Sequence, residues 1–290
     1  MAQNSFLIFD RALQRRRLAR ALAAGPADFL LARATDEILE RLSAVTRRFS
    51  AIVDIGTPLP LLAQALAAAY PAARITRLAP LVQTAGTDRL VGDAELLPFA
   101  PNTFDLAVSA LALQDVNDLP GALAQIRRAL KPDGLFLGCL VGGASLRELR
   151  AALAEAESEI AGGVSPRIAP FADLRDMGGL LQRAGFALPV TDVETLTVRY
   201  SHLFALLADL RAMGATNALV ERLRRPARRA LFLRAAEIYA RDNADADADG
   251  RLRATFEIVF LSGWAPHESQ QKPLKPGSGK ISLAEVLRRT

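Results

Sequence analysis

The sequence predicts an α/β fold with a mostly parallel sheet, and residues 92–143 carry the three observations that predict it. The run Phe104–Val108 is short, apolar and followed by small residues, as in a strand buried on both faces of a parallel sheet. Leu119, Leu123, Ile126 and Leu130 recur at spacings of four, three and four, so they share one helix face. Asn117 or Asp118 can cap that helix and Pro120 fits its first turn. Lys131-Pro132-Asp133-Gly134 then stops the helix and turns the chain into a second buried run, Leu135–Val141. Strand, helix and strand in this order make a right-handed crossover.

The other elements follow in chain order. Residues 1–25 are basic and helical in pattern, with Arg15, Arg16, Arg17 and Arg20. Residues 27–49 form a helix with Phe29, Leu30, Ile38, Leu39 and Leu42 on its apolar side. Ala51–Ile55 is the first strand, Leu61–Tyr70 the helix after it, Arg74–Leu78 a second strand and Arg89–Val91 a third. The connection 80–88 is short for a full crossover helix, so a clipped helix or a turn is expected there. After Val141, Ser145–Ile160 and Phe171–Ala184 are helical and Ala187–Arg199 is the sixth strand. Two helices, His202–Met213 and about Pro226–Arg241, precede the last strand, Thr255–Gly263. The expected organisation is 1–50 as a basic arm and helix, 51–200 as the core, 201–250 as a helical insertion, 251–271 as the last core strand and 272–290 as a tail.

Composition narrows the functional classes. Hydrophobic residues make up 51% of the 290 residues, ample for a core, and the net charge is +5. That balance reflects either an arginine-rich composition or attraction to an acidic partner, an anionic membrane surface or nucleic acid. Basic residues are not interleaved with aromatics, so no nucleic acid partner is expected. The single cysteine, Cys139, falls inside a predicted buried strand and reads as a core thiol in a reducing compartment. Two histidines and no cysteine cluster argue against a zinc site. No apolar run is long enough for a membrane span, and Met1–Gly25 lacks the apolar centre of a secretory signal. Asp245–Gly250 imitates the start of a calcium loop, but its twelfth position is Phe256 where a glutamate is needed. Arg222–Arg229 is arginine-rich and reads either as a solvated face or as a site for an acidic partner or lipid headgroups.

Beyond these patterns the chain resembles a known family. LLPFAPNTFDLAVSALAL followed by LKPDGLFLG is similar to strands four and five of class I (Rossmann-like) S-adenosylmethionine-dependent methyltransferases. Phe9-Asp10-Arg11, Val116-Asn117-Asp118-Leu119-Pro120, Gly142-Gly143 with Leu146–Arg150, Ser165-Pro166, Phe171, Gly263-Trp264 and His267–Gln270 resemble a narrower group. That group is the methyltransferase-like assembly factors of respiratory complex I, arginine hydroxylases by family, with their bacterial relatives. The resemblance spans roughly residues 8–287 and implies a seven-stranded sheet, mostly parallel with an antiparallel last strand and a helical insertion before it.

The resemblance also implies a cofactor, S-adenosylmethionine, and a site. Relatives carry Asp-x-Gly-x-Gly-x-Gly after strand one, where this chain reads Asp54-Ile55-Gly56-Thr57-Pro58-Leu59-Pro60. Only the first glycine is kept, and proline brings a ring, a fixed φ and no N–H donor. The ribose-binding acid of strand two is matched by Leu78. The acid after strand three is kept in Asp93-Ala94-Glu95. Cofactor-binding residues are therefore expected to be Asp54, Gly56, Asp93, Ala94 and Glu95. Substrate-facing residues are expected to be Asp10, Arg11, Gln114 and Asp115, with Gln114-Asp115 standing where relatives often show His-Trp. No catalytic residue and no metal ligand is assigned. The implied activity is SAM-linked methylation or hydroxylation of an arginine on a complex I subunit, in a bacterial cytoplasm or at the periphery of the inner membrane. The alternative is a non-catalytic assembly protein that has lost SAM. A carboxyl methyltransferase of acyl-carrier substrates is a third, weaker possibility. A nicotinamide dehydrogenase lacks its glycine fingerprint here.

Overall fold

The computed structural model describes residues 7–82, 89–171, 173–245 and 249–271. Among these, the strands are β1 (Ala51–Ile55), β2 (Arg74–Ala79), β3 (Arg89–Val91), β4 (Phe104–Ala110), β5 (Leu130–Val141), β6 (Ala187–Tyr200), β7 (Ala244–Asp245) and β8 (Arg251–Trp264). They form one sheet in the order β3-β2-β1-β4-β5-β8-β6, with β7 pairing to β8 beside that path. β1 to β5 run parallel to one another, and β8 is antiparallel to both β5 and β6. The seven-strand path with a reversed last strand matches the sequence expectation, and the two-residue β7 adds to it.

The helices are α1 (Arg11–Ala24), α2 (Phe29–Ser43), α3 (Leu61–Ala69), α4 (Leu119–Ala129), α5 (Arg147–Ala161), α6 (Leu174–Arg183), α7 (Leu203–Ala212) and α8 (Arg229–Asn243). Ile38 and Leu42 of α2 and Leu62 and Leu66 of α3 pack with Ile52, Leu106 and Val108 of β1 and β4. Leu123 and Ile126 of α4 and Leu180 and Leu181 of α6 join a second cluster with Val53, Ile55 and Phe136. A third cluster joins α5, α7 and α8 to Leu252, Ala254 and Phe256 of β8. Tyr239, almost wholly buried, ties α8 down by donating its hydroxyl to the Arg253 carbonyl at 2.6 Å. Several helix starts are capped by short polar side chains, each accepting from an otherwise orphaned amide: Asp10 from Leu13, Asp118 from Gly121 and Asp173 from Arg175.

Several boundaries differ from the sequence expectation, among them the start of the last strand, at Arg251 rather than the expected Thr255. The helix expected to run to residue 49 ends at Ser43, because Phe49 turns inward and meets Tyr70 edge-to-face at 5.8 Å between centroids. Lys131–Gly134 does not separate helix from strand: β5 begins at Leu130 and carries the segment as a bulge against β4, with Asp133 at φ 60°. The helix expected from Phe171 begins at Leu174, which leaves Phe171 free to line a cavity. The helix expected near Pro226 begins at Arg229. The expected clipped helix or turn lies largely outside the described residues, as does the tail 272–290. Asp245 of the calcium-like run pairs with Arg199 at 2.8 Å. Cys139 is buried in β5, where burial pushes its thiol up to about 12.

β6 is the long exposed edge. A bulge at Ala187–Val190, Pro189 within it, and charged side chains paired to α2 (Arg41 to Asp192, Arg33 to Glu194) blunt it against sheet-to-sheet pairing. Among the described residues, no helix is long and apolar enough to cross a membrane. Ile38 is fully buried between α2 and the sheet. Ile38→Ala is expected to lower stability by about 2–5 kcal/mol in urea unfolding, through lost burial and an unfilled cavity.

Candidate functional site

The carboxyl ends of the parallel strands are where an open α/β sheet leaves room for a ligand. A cavity of about 450 Å³ opens there. Gly56, Pro58 and Leu59 line it after β1, Pro80 after β2, Gly92 and Ala94 after β3, and Leu111, Ala112, Gln114 and Asp115 after β4. α1 and α2 roof it with Leu18, Leu22, Leu30 and Leu31, and α5, the loop before α6 and α7 supply further apolar wall. Its size falls in the range of small-molecule sites, about 300–1,000 Å³.

Below the cavity the first loop is held by a buried polar network. Asp54 is fully buried and accepts from the Thr57 hydroxyl; Thr57 Oγ1 in turn accepts from the Ala110 amide at 3.1 Å. Arg77, 2% exposed, places Nε 3.3 Å from Asp54 Oδ2 and donates Nη2 to the Thr57 carbonyl at 2.5 Å. Ser109 donates to the Ile55 carbonyl at 2.8 Å. Burial pushes the Asp54 carboxyl up to about 6, against the pull of Thr57 and Arg77. β1 and β2 pair Asp54 with Arg77 in register, so strand pairing itself brings the charges together.

That network corrects the expectation for Asp54, which does not line the cavity and spends its carboxylate on Thr57 and Arg77. Leu78, which stands where relatives carry the ribose-binding acid, belongs to the core. It pairs with Ile55 on the same sheet face, is wholly buried and fills the space beside Gly92, where an added Cβ would lie 2.6 Å from its Cδ1. Pro80, not Leu78, is the residue that lines the cavity beyond β2.

Asp93 and Glu95, expected to hold the cofactor, do not line the cavity and instead anchor the roof. Asp93 Oδ1 accepts from Arg11 Nη2 at 2.7 Å and from the Glu95 amide at 3.0 Å, and Arg15 Nη2 lies 2.5 Å from Oδ2. Burial opposes ionisation of Asp93, yet the Arg11 hydrogen bond, the Glu95 amide and the two guanidinium charges together lower its pKa. Glu95 accepts from the Asn117 amide, and Asn117 Oδ1 accepts from Ile8 and Phe9 amides at 2.8 Å each. Of the residues expected to face substrate, Arg11, Gln114 and Asp115 line the cavity. Asp10 does not; it caps α1 and pairs with Arg222 at 3.2 Å.

Asp115 is the one carboxylate among the described residues that line the cavity. Burial pushes it up to about 6, against the charge of Arg11 and a hydrogen bond from Gln114. The wall opposite is pinned by Glu157, which accepts from Ser165 and pairs with Arg167 at 2.5 Å. Burial works against the Glu157 charge, but Arg167 and Ser165 hold its carboxyl down at about 2.

The small-residue part of the site fits the S-adenosylmethionine that the resemblance implies. Gly56 has φ 75°, and a Cβ there would come 3.1 Å from the Ala112 Cβ, so the close turn under a ligand is kept. Gly56, Gly92, Ala94 and Ala112 line the cavity's floor, while Asp93 and Glu95 do not line it and pair with Arg11. Arg77, Arg15 and Asn117 were not among the expected site residues. The signal for Arg77 was a charge inside the otherwise apolar run Ile75–Ala79, which demands a buried acid.

Residues 54–138 match the family described as "Methyltransferase domain". The chain is 38% identical to "Arginine-hydroxylase NDUFAF5, mitochondrial" of Homo sapiens, over 96% of this chain and 83% of the relative. It is 35% identical to the protein of the same name from Danio rerio, over 96% and 89%. It is 33% identical to "Malonyl-[acyl-carrier protein] O-methyltransferase" of Laribacter hongkongensis, over 86% of each. Among solved structures, a Bacillus halodurans protein assigned as a methyltransferase matches with TM-score 0.54 at 14% identity, over 80% of this chain and 99% of its own, which supports the fold alone.

Removing one partner of the buried pair leaves the other uncompensated. Arg77→Met is expected to cost about 3–5 kcal/mol in urea unfolding, and Asp54→Leu with Arg77→Met together to cost clearly less than Arg77→Met alone.

Proposed function

The chain belongs to the arginine-hydroxylase NDUFAF5 family of S-adenosylmethionine-dependent, methyltransferase-fold proteins, and on that footing we propose that it modifies an arginine side chain of a protein during assembly of NADH dehydrogenase, complex I. The observation that carries this reading is Asp115, the one carboxylate among the described residues lining a largely apolar chamber, next to the Gly56–Ala112 floor. A carboxylate takes the planar guanidinium fork in a bidentate pair, and apolar walls suit the aliphatic stem behind it. Four arginines line the cavity, Arg11, Arg15, Arg167 and Arg211; the ion pairs of the first three go to Asp93, Glu95 and Glu157, and Arg11 also donates to the Asp115 carbonyl at 2.9 Å.

The cofactor would rest on Gly56, Gly92, Ala94 and Ala112. Bound S-adenosylmethionine carries a methyl group on a positively charged sulfur, an electrophile for methyl transfer. The chain's own residues hold the target guanidinium at Asp115 and keep bulk water out with the α1–α2 roof. A single buried cysteine suits a reducing bacterial cytoplasm.

A second reading, a non-catalytic assembly protein, is favoured by three features. Asp54 is spent internally, Pro58 and Pro60 replace donors, and no carboxylate lines the cavity beyond β2 among the described residues. Calorimetric titration of S-adenosylmethionine separates the two. The catalytic reading expects saturable heat with the natural chain. The other expects none at millimolar ligand, with binding appearing only in the Pro58→Gly, Pro60→Gly variant.

The Asp115 assignment has its own pH signature. Below its pKa of about 6 the carboxyl is neutral and above it charged, so capture of a guanidinium must strengthen as pH rises through that value. Thermal stabilisation of the protein by arginine methyl ester is expected to grow between about pH 5 and pH 7. Asp115→Asn is expected to remove that dependence and weaken the ester's binding roughly tenfold or more. Equal stabilisation at both pH values would sink the role given to Asp115.

A further inference from the structure

Gln114 lines the cavity beside Asp115, and among the described residues its Oε1 is buried with no hydrogen-bond partner. A buried acceptor without a donor costs free energy, and folded proteins leave few of them. Three other uncharged polar side chains of the lining have their oxygens in use. Ser145 Oγ accepts from the Glu257 amide at 2.8 Å, Gln14 Oε1 from Arg11 Nη1 at 3.1 Å and Asn217 Oδ1 from the Leu219 amide at 3.1 Å. Arg11 Nε also lacks a hydrogen bond, but it keeps Glu95 Oε1 at 3.7 Å as an ionic partner.

The Gln114 amide cannot be turned over to hide its oxygen. Nε2 donates to the Leu111 carbonyl at 2.8 Å, and the amide also hydrogen-bonds the Asp115 carboxylate. Both neighbours are acceptors at neutral pH, so the nitrogen belongs where it stands and Oε1 is left over. The turn beneath is fixed. Leu113 is buried in the core, the Leu111 amide donates to the Cys139 carbonyl at 3.0 Å, and the Asp115 carbonyl accepts from Arg11 Nη1 at 2.9 Å. Leu111 has φ 49°, a left-handed value that leucine rarely takes, so the chain bears strain where its carbonyl holds Gln114.

We propose that Gln114 selects a guanidinium over an ammonium in this chamber, its Oε1 accepting an N–H that Asp115 does not take. The proposal rests on the reading of the cavity as an arginine site. A guanidinium carries five N–H donors in one plane, spread over three nitrogens. The Asp115 carboxylate takes two along one edge. The donors left over meet apolar wall unless another acceptor stands beside the carboxylate. Gln114 Oε1 is such an acceptor, neutral and one residue away on the same 3₁₀ turn, Leu113–Asp115. An ammonium presents its donors from a single nitrogen. It seats on the carboxylate as a point charge and does not span to a second acceptor in the same plane. Asp115 therefore supplies affinity for either cation, and Gln114 supplies the difference between them.

Calorimetric titration of the full chain with arginine methyl ester and with lysine methyl ester, at neutral pH, tests it, because the two probes differ only in the side chain. The natural chain is expected to hold the arginine ester roughly tenfold or more tighter than the lysine ester. Gln114→Met, similar in length and lacking the acceptor, is expected to lower that ratio about fivefold or more, by weakening the arginine ester. Asp115→Asn is expected to weaken both esters and keep their order. Thermal midpoints matched to the natural chain show that the variants fold, and Gln114→Leu is read in the same way should Gln114→Met not fold. A ratio that Gln114→Met leaves unchanged, with arginine binding still dependent on Asp115, overturns the role of Gln114 and leaves the arginine site standing. Binding of neither ester to the natural chain, or arginine binding indifferent to Asp115→Asn, overturns the arginine site and this proposal with it.

Discussion

A buried ion pair organises the floor of this protein. Asp54 and Arg77 sit opposite each other on β1 and β2, both almost free of solvent. Neither charge could remain there alone, since burying an unpaired charge costs several kcal/mol. Thr57 links the pair to the first loop and, through the Ala110 amide, to the end of β4. The loop Gly56–Pro60 is thus fixed from beneath by side chains, where relatives use three glycines. Proline at 58 and 60 is compatible with that arrangement, because the loop's shape no longer depends on free φ at those positions or on their amide donors.

With the floor fixed, the roof follows. Asp93, Glu95 and Asn117 hold α1 and the strand-like segment before it over the cavity. The acids expected to meet a ligand directly therefore perform a different task, retaining the helix that closes the chamber. This leaves Asp115 as the acid exposed to the interior, on the short 3₁₀ turn Leu113–Asp115 after β4. Raised toward 6 by burial, it is ionised at neutral pH but poised close to the change. α1 works on both sides: Leu18 and Leu22 line the chamber, while Arg16 and Arg20 are exposed.

The fold was largely legible in the sequence. The alternation of buried runs with one-sided helices located most of the strands and helices, because period and burial are local properties of the chain. Misplaced ends had tertiary causes. Phe49 leaves α2 to reach the core, and Lys131–Gly134 is absorbed into β5 because Asp133 and Gly134 exchange hydrogen bonds with Ala265. The site was legible only in part. Gly56, Ala94, Gln114, Asp115 and Arg11 line the cavity, while Asp93 and Glu95 hold Arg11, and Asp54 and Asp10 turn to Arg77 and Arg222.

By itself the sequence determined the layered α/β architecture and the family, since hydrophobic spacing and family motifs are written along the chain. Only the tertiary structure decided which charges are spent and which are available. The pairings of Asp54 with Arg77, Asp93 with Arg11 and Asp10 with Arg222 join residues 23, 82 and 212 positions apart. Whether a carboxylate greets a ligand or an arginine depends on distances of a few ångströms that strand register and helix docking set, and no local pattern encodes them.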